Sequence, residues 1–274
     1  TSGNIDTLMF RKQHASAGVG YQYDLGRIKS YTVNGYSGGL IFDTGRNTGG
    51  GSYAATEAMR LNEFGNMGLG VVPNQDAWTG NSILQIGGMG TVFSGTTASA
   101  GQSLFLGVNT VQRSSSFNAI VNDEAAYLEI KDGAYKFWTA PSVAANAAQT
   151  FTEEFRMEAD GDFHADGDVY AFSTTVGSDI ALKENITVID NALDKVSQLK
   201  GVLFDWKREG KGSSAGLIAQ DVEKVLPQLV KETATLGGNE PHKNLNYNGI
   251  IGLLVESIKE LKDELRELKN GNNG

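Results

Sequence analysis

The sequence predicts a mainly β first part, residues 1–177, and a small α+β second part, residues 178–274, ending in a long helix with coiled-coil spacing. Three observations carry that reading. Gly and Ser crowd the first two thirds, while the runs of Lys, Glu and Leu that suit helices come almost wholly after Asp179. The first part is written in short alternating runs broken by glycine, and the second in apolar positions three and four apart. Finally, 274 residues are enough for two ordinary domains, each able to bury a core.

Within residues 1–177, "KSYTVNGYSGGLIFDTG" and "AYLEIKDGAYKFWTAP" alternate apolar and polar side chains around Asn34-Gly35 and Asp132-Gly133. Both dipeptides tolerate positive φ and mark two-residue hairpins. Runs this short and this rich in glycine complete their burial poorly alone, so the β part is expected to finish its packing against other copies. An internal repeat follows. "TEAMRLNEFGNMG" from position 56 lies over "TEEFRMEADGDFH" from position 152, matching Thr56 with Thr152, Glu57 with Glu153, Arg60 with Arg156 and Gly65 with Gly161. This is read as a duplicated strand-turn-strand element with a structural role.

Charge and composition exclude several function classes. A net charge of -9, with no Lys/Arg-rich block, opposes binding to nucleic acid or to anionic membranes. No window reaches the roughly 18 apolar residues of a membrane span, so no membrane insertion is expected. The opening "TSGNIDTLMF" lacks the regions of a signal peptide and reads as the continuation of a longer chain. Absence of cysteine removes disulfides and thiolate metal sites and suits folding in a reducing cytoplasm. In "ADGDFHADGD", Asp160, Asp162, His164, Asp166 and Asp168 share one parity, which invites a calcium reading. An EF-hand loop starting there needs Gly and Glu where Ala165 and Ala171 stand, and His14 and His242 lie far off in sequence. The stretch is read as a solvated polar face; neither a metal nor another cofactor is expected.

The chemistry is expected after Gly177, in "GSDIALKEN", where Ser178 and Lys183 stand five positions apart. A serine hydroxyl is a weak nucleophile at neutral pH, and a lysine takes its proton only when its amine is neutral, through burial or a neighbouring cation. Asp179 either orients Lys183 or caps a turn. Downstream come the apolar run "GVLFDW", then "GLIAQDVEKVLPQLV", read as a helix from about Ile218 that stops at Pro227. Leu217, Ile218, Val222 and Leu226 are its expected core positions, with Gln220 and Glu223 as outward contacts. "TATLGGNEPHKNLNY" reads as an exposed loop. In "GLLVESIKELKDELRELK", Leu254, Ile258, Leu261, Leu265 and Leu268 recur at spacings of 4, 3, 4 and 3. That is a heptad seam, or equally the apolar face of a helix packed on its own domain; Glu256, Lys259 and Glu260 count as solvated charges.

The order "SDxxLKxNI", "GVLFDW", "GLIAQDVEKVLPQLV", "LNYNGIIGLLVESIKEL" over residues 178–274 resembles the C-terminal intramolecular chaperone of phage endosialidases, tail fibres and tailspikes. Ala181 departs from the polar or basic residue usual there, which puts any contact of that side chain in doubt. The repeat is similar, more loosely, to strand-turn-strand elements of phage fibres and spikes. The resemblance implies a mainly β trimeric fibre or spike tip followed by a trimerisation chaperone that directs fibre folding and then releases itself, with Ser178 and Lys183 as catalytic dyad. It favours scission between Ser178 and Asp179. Chemistry leaves the bond between Gly177 and Ser178 open as well, because attack of Ser178 on the preceding carbonyl is an ordinary N-to-O acyl shift, whereas attack on its own carbonyl closes a strained four-membered ring, so a cut after Ser178 requires water or another hydroxyl with Lys183 as base.

On the same resemblance the chain is a homotrimer in a virion tail fibre or spike, assembled in the host cytoplasm. Its tip meets a bacterial surface receptor, a glycan or an outer-membrane protein. Residues 71–150 between the repeats become the variable part, with Trp78, Asn81, Arg113 and Phe117 as receptor contacts, although an aromatic among strands is more often core. The alternatives are a trimeric adhesin that is never cut and a spike whose tip also degrades host glycan; nothing in the sequence nominates the carboxylate pair that the last requires.

Overall fold

The computed structural model describes residues 6–271 apart from 17–18, 34–36, 48–52, 75–79, 97, 114–115, 174, 208–211, 235 and 237–239. The chain divides into two compact units, Thr1–Val169 and Tyr170–Gly274.

The first unit is a twelve-stranded sheet with strands nearly in chain order. It runs through β1 (Thr7–Ser16), β2 (Val19–Thr32), β3 (Gly38–Asn47), β4 (Tyr53–Leu61), β5 (Met67–Leu69), β6 (Asn81–Ile86), β7 (Gly90–Gly95) and β8 (Leu104–Val108). A separate hairpin of β9 (Val111–Arg113) and β10 (Ser116–Asn118) interrupts it, after which β11 (Asp123–Lys131), β12 (Ala134–Val143), β13 (Thr152–Met157) and β14 (Phe163–Ala165) complete the sheet. β5 and β6 run parallel; the other described neighbours are antiparallel, as short connections require. The Asp132-Gly133 turn joins β11 to β12 with both residues at positive φ, 49° and 80°, the backbone of a type I′ hairpin. Asn34-Gly35 lies outside the described residues, but β2 and β3 pair on either side of it, from Thr32 opposite Gly38.

One face of this sheet is covered from within the chain. Ile83, Phe93 and Val111 are buried there against Phe105, Phe117 and Ile120. Phe93 stacks on Phe105 at 4.7 Å between centroids, and Tyr127 meets Phe151 at 4.6 Å. Burial, with Glu129 and Glu153 nearby, holds the Tyr127 phenol above its usual range.

The other face is different. Register pairs Leu40 with Leu61, Leu61 with Met67, Met67 with Leu84, Leu84 with Val92 and Val92 with Leu106. It continues Leu106 with Leu128, Leu128 with Phe137 and Phe137 with Phe155. An apolar ladder therefore crosses the sheet from β3 to β13, flanked by Ile86, Val108, Tyr135 and Met157, each more than 40% exposed. Leu106, Leu128, Phe137 and Phe155 line an open, almost wholly apolar groove on it.

The repeat is structural and larger than its sequence match. Leu61 pairs with Met67 across a turn in which Asn62 N–H donates to Asn66 O and Gly65 N–H to Asn62 O. Met157 pairs with Phe163 across a turn in which Glu158 N–H donates to Asp162 O and Gly161 N–H to Glu158 O. Gly65 and Gly161 sit at φ of 79° and 93°. Arg60 reaches back to Glu57 at 2.6 Å, as Arg156 does to Glu153 at 3.3 Å. The strand before each turn is duplicated too: a bulge at Ala58 of β4 and at Glu154 of β13 resets the register, and the carbonyls of those two residues accept from Gly70 and Asp166 N–H.

The second unit contains α1 (Ala192–Ser197), the hairpin β15 (Val202–Asp205) and β16 (Ser213–Gly216), α2 (Ala219–Val225), the hairpin β17 (Val230–Ala234) and β18 (Pro241–Leu245), and α3 (Tyr247–Gly271). The α2 boundaries match the sequence reading, with a 3₁₀ turn beginning at Pro227. Of its expected core positions Val222 is fully buried, whereas Ile218 is 40% exposed. Glu223 pairs with Lys243 at 2.6 Å and ties α2 to β18. Two sequence expectations are corrected here. The stretch expected as a loop, residues 233–247, contains the end of β17 and all of β18, with Thr233 opposite His242; these strands carry few apolar residues, so alternation gave no signal. Glu260 is not a free surface charge: its carboxylate accepts from Ala192 N–H at 2.9 Å and Leu193 N–H at 2.7 Å.

Candidate functional site

Ser178 and Lys183 are brought together by one tight turn. Asp179 opens it in extended conformation and caps it, its Oδ1 accepting from Ala181 N–H at 2.8 Å. Ile180–Leu182 form a single 3₁₀ turn, closed by Leu182 N–H to Asp179 O and Lys183 N–H to Ile180 O, both 3.1 Å. With three residues per turn, this folds position 183 back beside 178. Lys183 Nζ then donates to Ser178 Oγ at 2.7 Å. Of the two roles open to Asp179, the structure supplies the cap. Gly177 shows no left-handed φ, and a Cβ there would meet only Leu182 Cδ1 at 3.7 Å. The glycine is therefore not a strained link.

Ser178, Lys183 and the turn between them are exposed, with Ile180 and Leu182 about three-quarters accessible. To act as base a lysine amine must be neutral, which needs lower polarity or a cation nearby. One chain supplies the contact and not the burial.

Residues 178–231 match the family model described as the chaperone of endosialidase. This segment is a chaperone-of-endosialidase domain. The match begins at Ser178 and takes in the dyad turn, α1, β15, β16 and α2. Curated relatives of the chain are phage fibres. The long tail fiber protein Gp37 of Enterobacteria phage K3 is 37% identical over 47% of this chain, and that of Enterobacteria phage T2 is 36% identical over 47%. The Salmonella phage S16 protein of the same name is 31% identical over 62%. The chain spans 10%, 9% and 25% of the lengths of those three proteins. The solved carboxy-terminal domain of the bacteriophage T5 L-shaped tail fiber, with its intra-molecular chaperone domain, aligns over 100% of this chain and 93% of that one, at 10% identity and a TM-score of 0.30. At that score the fold rests on the strands and helices described above.

The remaining sequence candidates are scattered. Leu254, Ile258, Leu261, Leu265 and Leu268 lie along α3, 43–64% exposed, while Leu253 and Ser257 of the same helix are buried. Within the single chain the five positions are thus left exposed, and the helix is buried on a different face, about 80° away at 100° per residue. Asn81 and Phe117 are not free for a ligand: Asn81 is buried with its Nδ2 on Gln112 Oε1 at 2.6 Å, and Phe117 packs among Phe93, Phe105 and Tyr127. The apolar cluster on the covered face claims Phe117, and the hydrogen bond to Gln112 holds Asn81. Arg113 donates to Asn146 Oδ1 at 2.8 Å, and Trp78 lies outside the described residues. Among the described residues no group of three or more His, Asp or Glu is placed to hold a metal ion.

Proposed function

We propose that this chain is the C-terminal part of a phage tail fibre or tailspike. In this reading residues 1–177 form a trimeric β tip that meets a bacterial surface receptor, and residues 178–274 form a trimerisation chaperone that cuts itself off beside Ser178. The observation that carries it is the 2.7 Å contact between Lys183 and Ser178, held by a capped turn at the start of the chaperone match. Support for the trimer comes from two unpartnered apolar surfaces, the ladder across the sheet and the seam of α3. The likeness to phage long tail fibers supports a virion component, and in this reading the fibre is assembled in the host cytoplasm.

The chemistry is a single hydrolysis per chain. Packing of other copies around the exposed turn strips water from the Lys183 amine, which releases its proton and becomes the base. In one route the Ser178 oxygen bonds to the Gly177 carbonyl carbon, Lys183 takes the hydroxyl proton and passes it to the departing Ser178 nitrogen, and water then cleaves the ester. In the other, water activated by Lys183 attacks the Ser178 carbonyl carbon, the bond to the Asp179 nitrogen breaks, and that nitrogen leaves as an amine. Intact-mass measurement on freshly expressed protein separates them, since the N-terminal fragment ends at Gly177 in the first and at Ser178 in the second. Lys183→Ala is expected to slow scission by about 10²-fold or more in either route and Ser178→Ala in the first, where its hydroxyl is the nucleophile, leaving one full-length band. Unchanged fragments from the lysine variant would exclude the dyad, and from the serine variant the first route. The exposure of both residues in the single chain favours, as second reading, an adhesin that is never cut; it is the right one if the unsubstituted trimer stays whole.

A further inference from the structure

The dyad turn is joined to the helical body of its unit by residues 184–191, which have no regular structure and are exposed as far as Val188. The segment first finds a hold at Ile189, whose Cδ1 lies 3.7 Å from where a Cβ on Gly252 of α3 would stand. Ala192 and Leu253 follow, both fully buried, in the contact between α1 and α3. One polar fastening completes it. Both oxygens of the Glu260 carboxylate are used, Oε1 by Ala192 N–H at 2.9 Å and Oε2 by Leu193 N–H at 2.7 Å. Glu260 falls on the α3 face that carries Leu253 and Ser257, at its edge away from the seam at Ile258 and Leu261. Eight residues separate Lys183 from Ala192, and a chain of that length reaches no further than about 30 Å.

We propose that Glu260 is a positioning residue for self-cleavage: it fastens the dyad-bearing segment to α3, so that association along the α3 seam delivers three dyads to fixed places beside neighbouring copies. This rests on the Ser178–Lys183 reading above. The carboxylate touches no reacting atom. It fixes one end of a short tether whose other end must be covered by another chain before the lysine loses its charge. Loosening the tether leaves the trimer and the dyad chemically whole while lowering the fraction of time that the turn spends in its covered position.

The test uses the full chain with Glu260→Ala, Glu260→Gln and, as a neighbour on the same helix, Lys259→Ala. Three quantities are followed: trimer content by sedimentation, hydrogen exchange at the Ala192 and Leu193 amides, and the rate at which fragments appear. Expected for Glu260→Ala is an assembled trimer with faster exchange at those two amides and scission slowed about tenfold or more. Glu260→Gln, which keeps an acceptor but loses the second oxygen and the charge, falls between, and Lys259→Ala cuts at the unsubstituted rate. Should Glu260→Ala fail to assemble, the glutamine variant is decisive alone. Scission at the unsubstituted rate in an assembled variant whose two amides exchange freely overturns this inference and leaves the dyad reading intact. Absence of fragments from the unsubstituted trimer overturns both.

Discussion

Single side chains hold this protein together in ways that differ sharply in how far they can be read from sequence. Asn109 is fully buried with φ at 56°, a left-handed conformation that asparagine tolerates better than most residues. Its Oδ1 accepts from Ile120 N–H at 3.1 Å and Val121 N–H at 2.8 Å, and its Nδ2 reaches the carbonyls of Asp123 at 2.9 Å and Glu124 at 3.0 Å. The residue thus satisfies the backbone of the crossing from β10 to β11. Asn109→Ala strands several buried polar groups at once, and a loss of about 3 kcal/mol or more is expected in denaturant unfolding of the full chain. A loss below about 1 kcal/mol would mean that water replaces the amide. Nothing in "GVNTVQ" announces this role, because its partners come from a loop brought over by the sheet. The Ser178–Lys183 contact lies within a single turn, yet a serine and a lysine five apart are common, and what singles the pair out is the resemblance of the surrounding motifs.

At the scale of elements, local patterns were read well and distant partners poorly. The Asp132-Gly133 hairpin, the limits of α2 and the duplicated strand-turn-strand units all depend on neighbours in sequence. Gly65 and Gly161 provide a matched test, since each has positive φ and nothing within 4 Å of an added Cβ. Alanine at either position therefore costs only backbone strain, about 1–2 kcal/mol, and the two losses should agree if the repeats are equivalent; unequal melting shifts would deny that. Glu260 escaped the sequence because its partners, 67 and 68 positions away, are backbone amides without a side-chain signature. Those two hydrogen bonds hold the carboxyl below its usual range, opposed by burial and Asp190 and aided slightly by Lys195. A carboxyl depressed on folding contributes stability above its unfolded pKa, near 4.3, and loses it as pH falls through the folded value. Exchange at Ala192 and Leu193 is accordingly expected to be pH-independent in its protection near neutrality and to lose protection below about pH 4. Protection unchanged at acid pH would show that the carboxylate does not hold α1.

For the molecule as a whole, the alternation in the sequence identified strands but not which face of them was left without a partner, because that depends on how twelve strands align. The aligned result is an apolar ladder from Leu40 to Phe155 on one face and a filled aromatic core on the other. Fully burying one leucine contributes about 2 kcal/mol, so covering the ladder, as the proposed trimer would, is a large stabilisation that a single chain forgoes. The second unit offers its own uncovered surface, the α3 seam, and the two surfaces need not serve the same step. Leu128→Asp places a charge in the middle of the ladder and should abolish trimers of the tip, read by sedimentation of the released N-terminal fragment. Leu261→Asp does the same to the seam. If assembly through α3 is what completes the dyad, the ladder variant still cuts itself while its tip fails to stay trimeric, and the seam variant stays uncut. If instead the folded tip is the trigger, both variants stay uncut. Equal, unimpaired scission in the two would mean that the dyad is complete within one chain, and the exposure of Lys183 would then need another explanation.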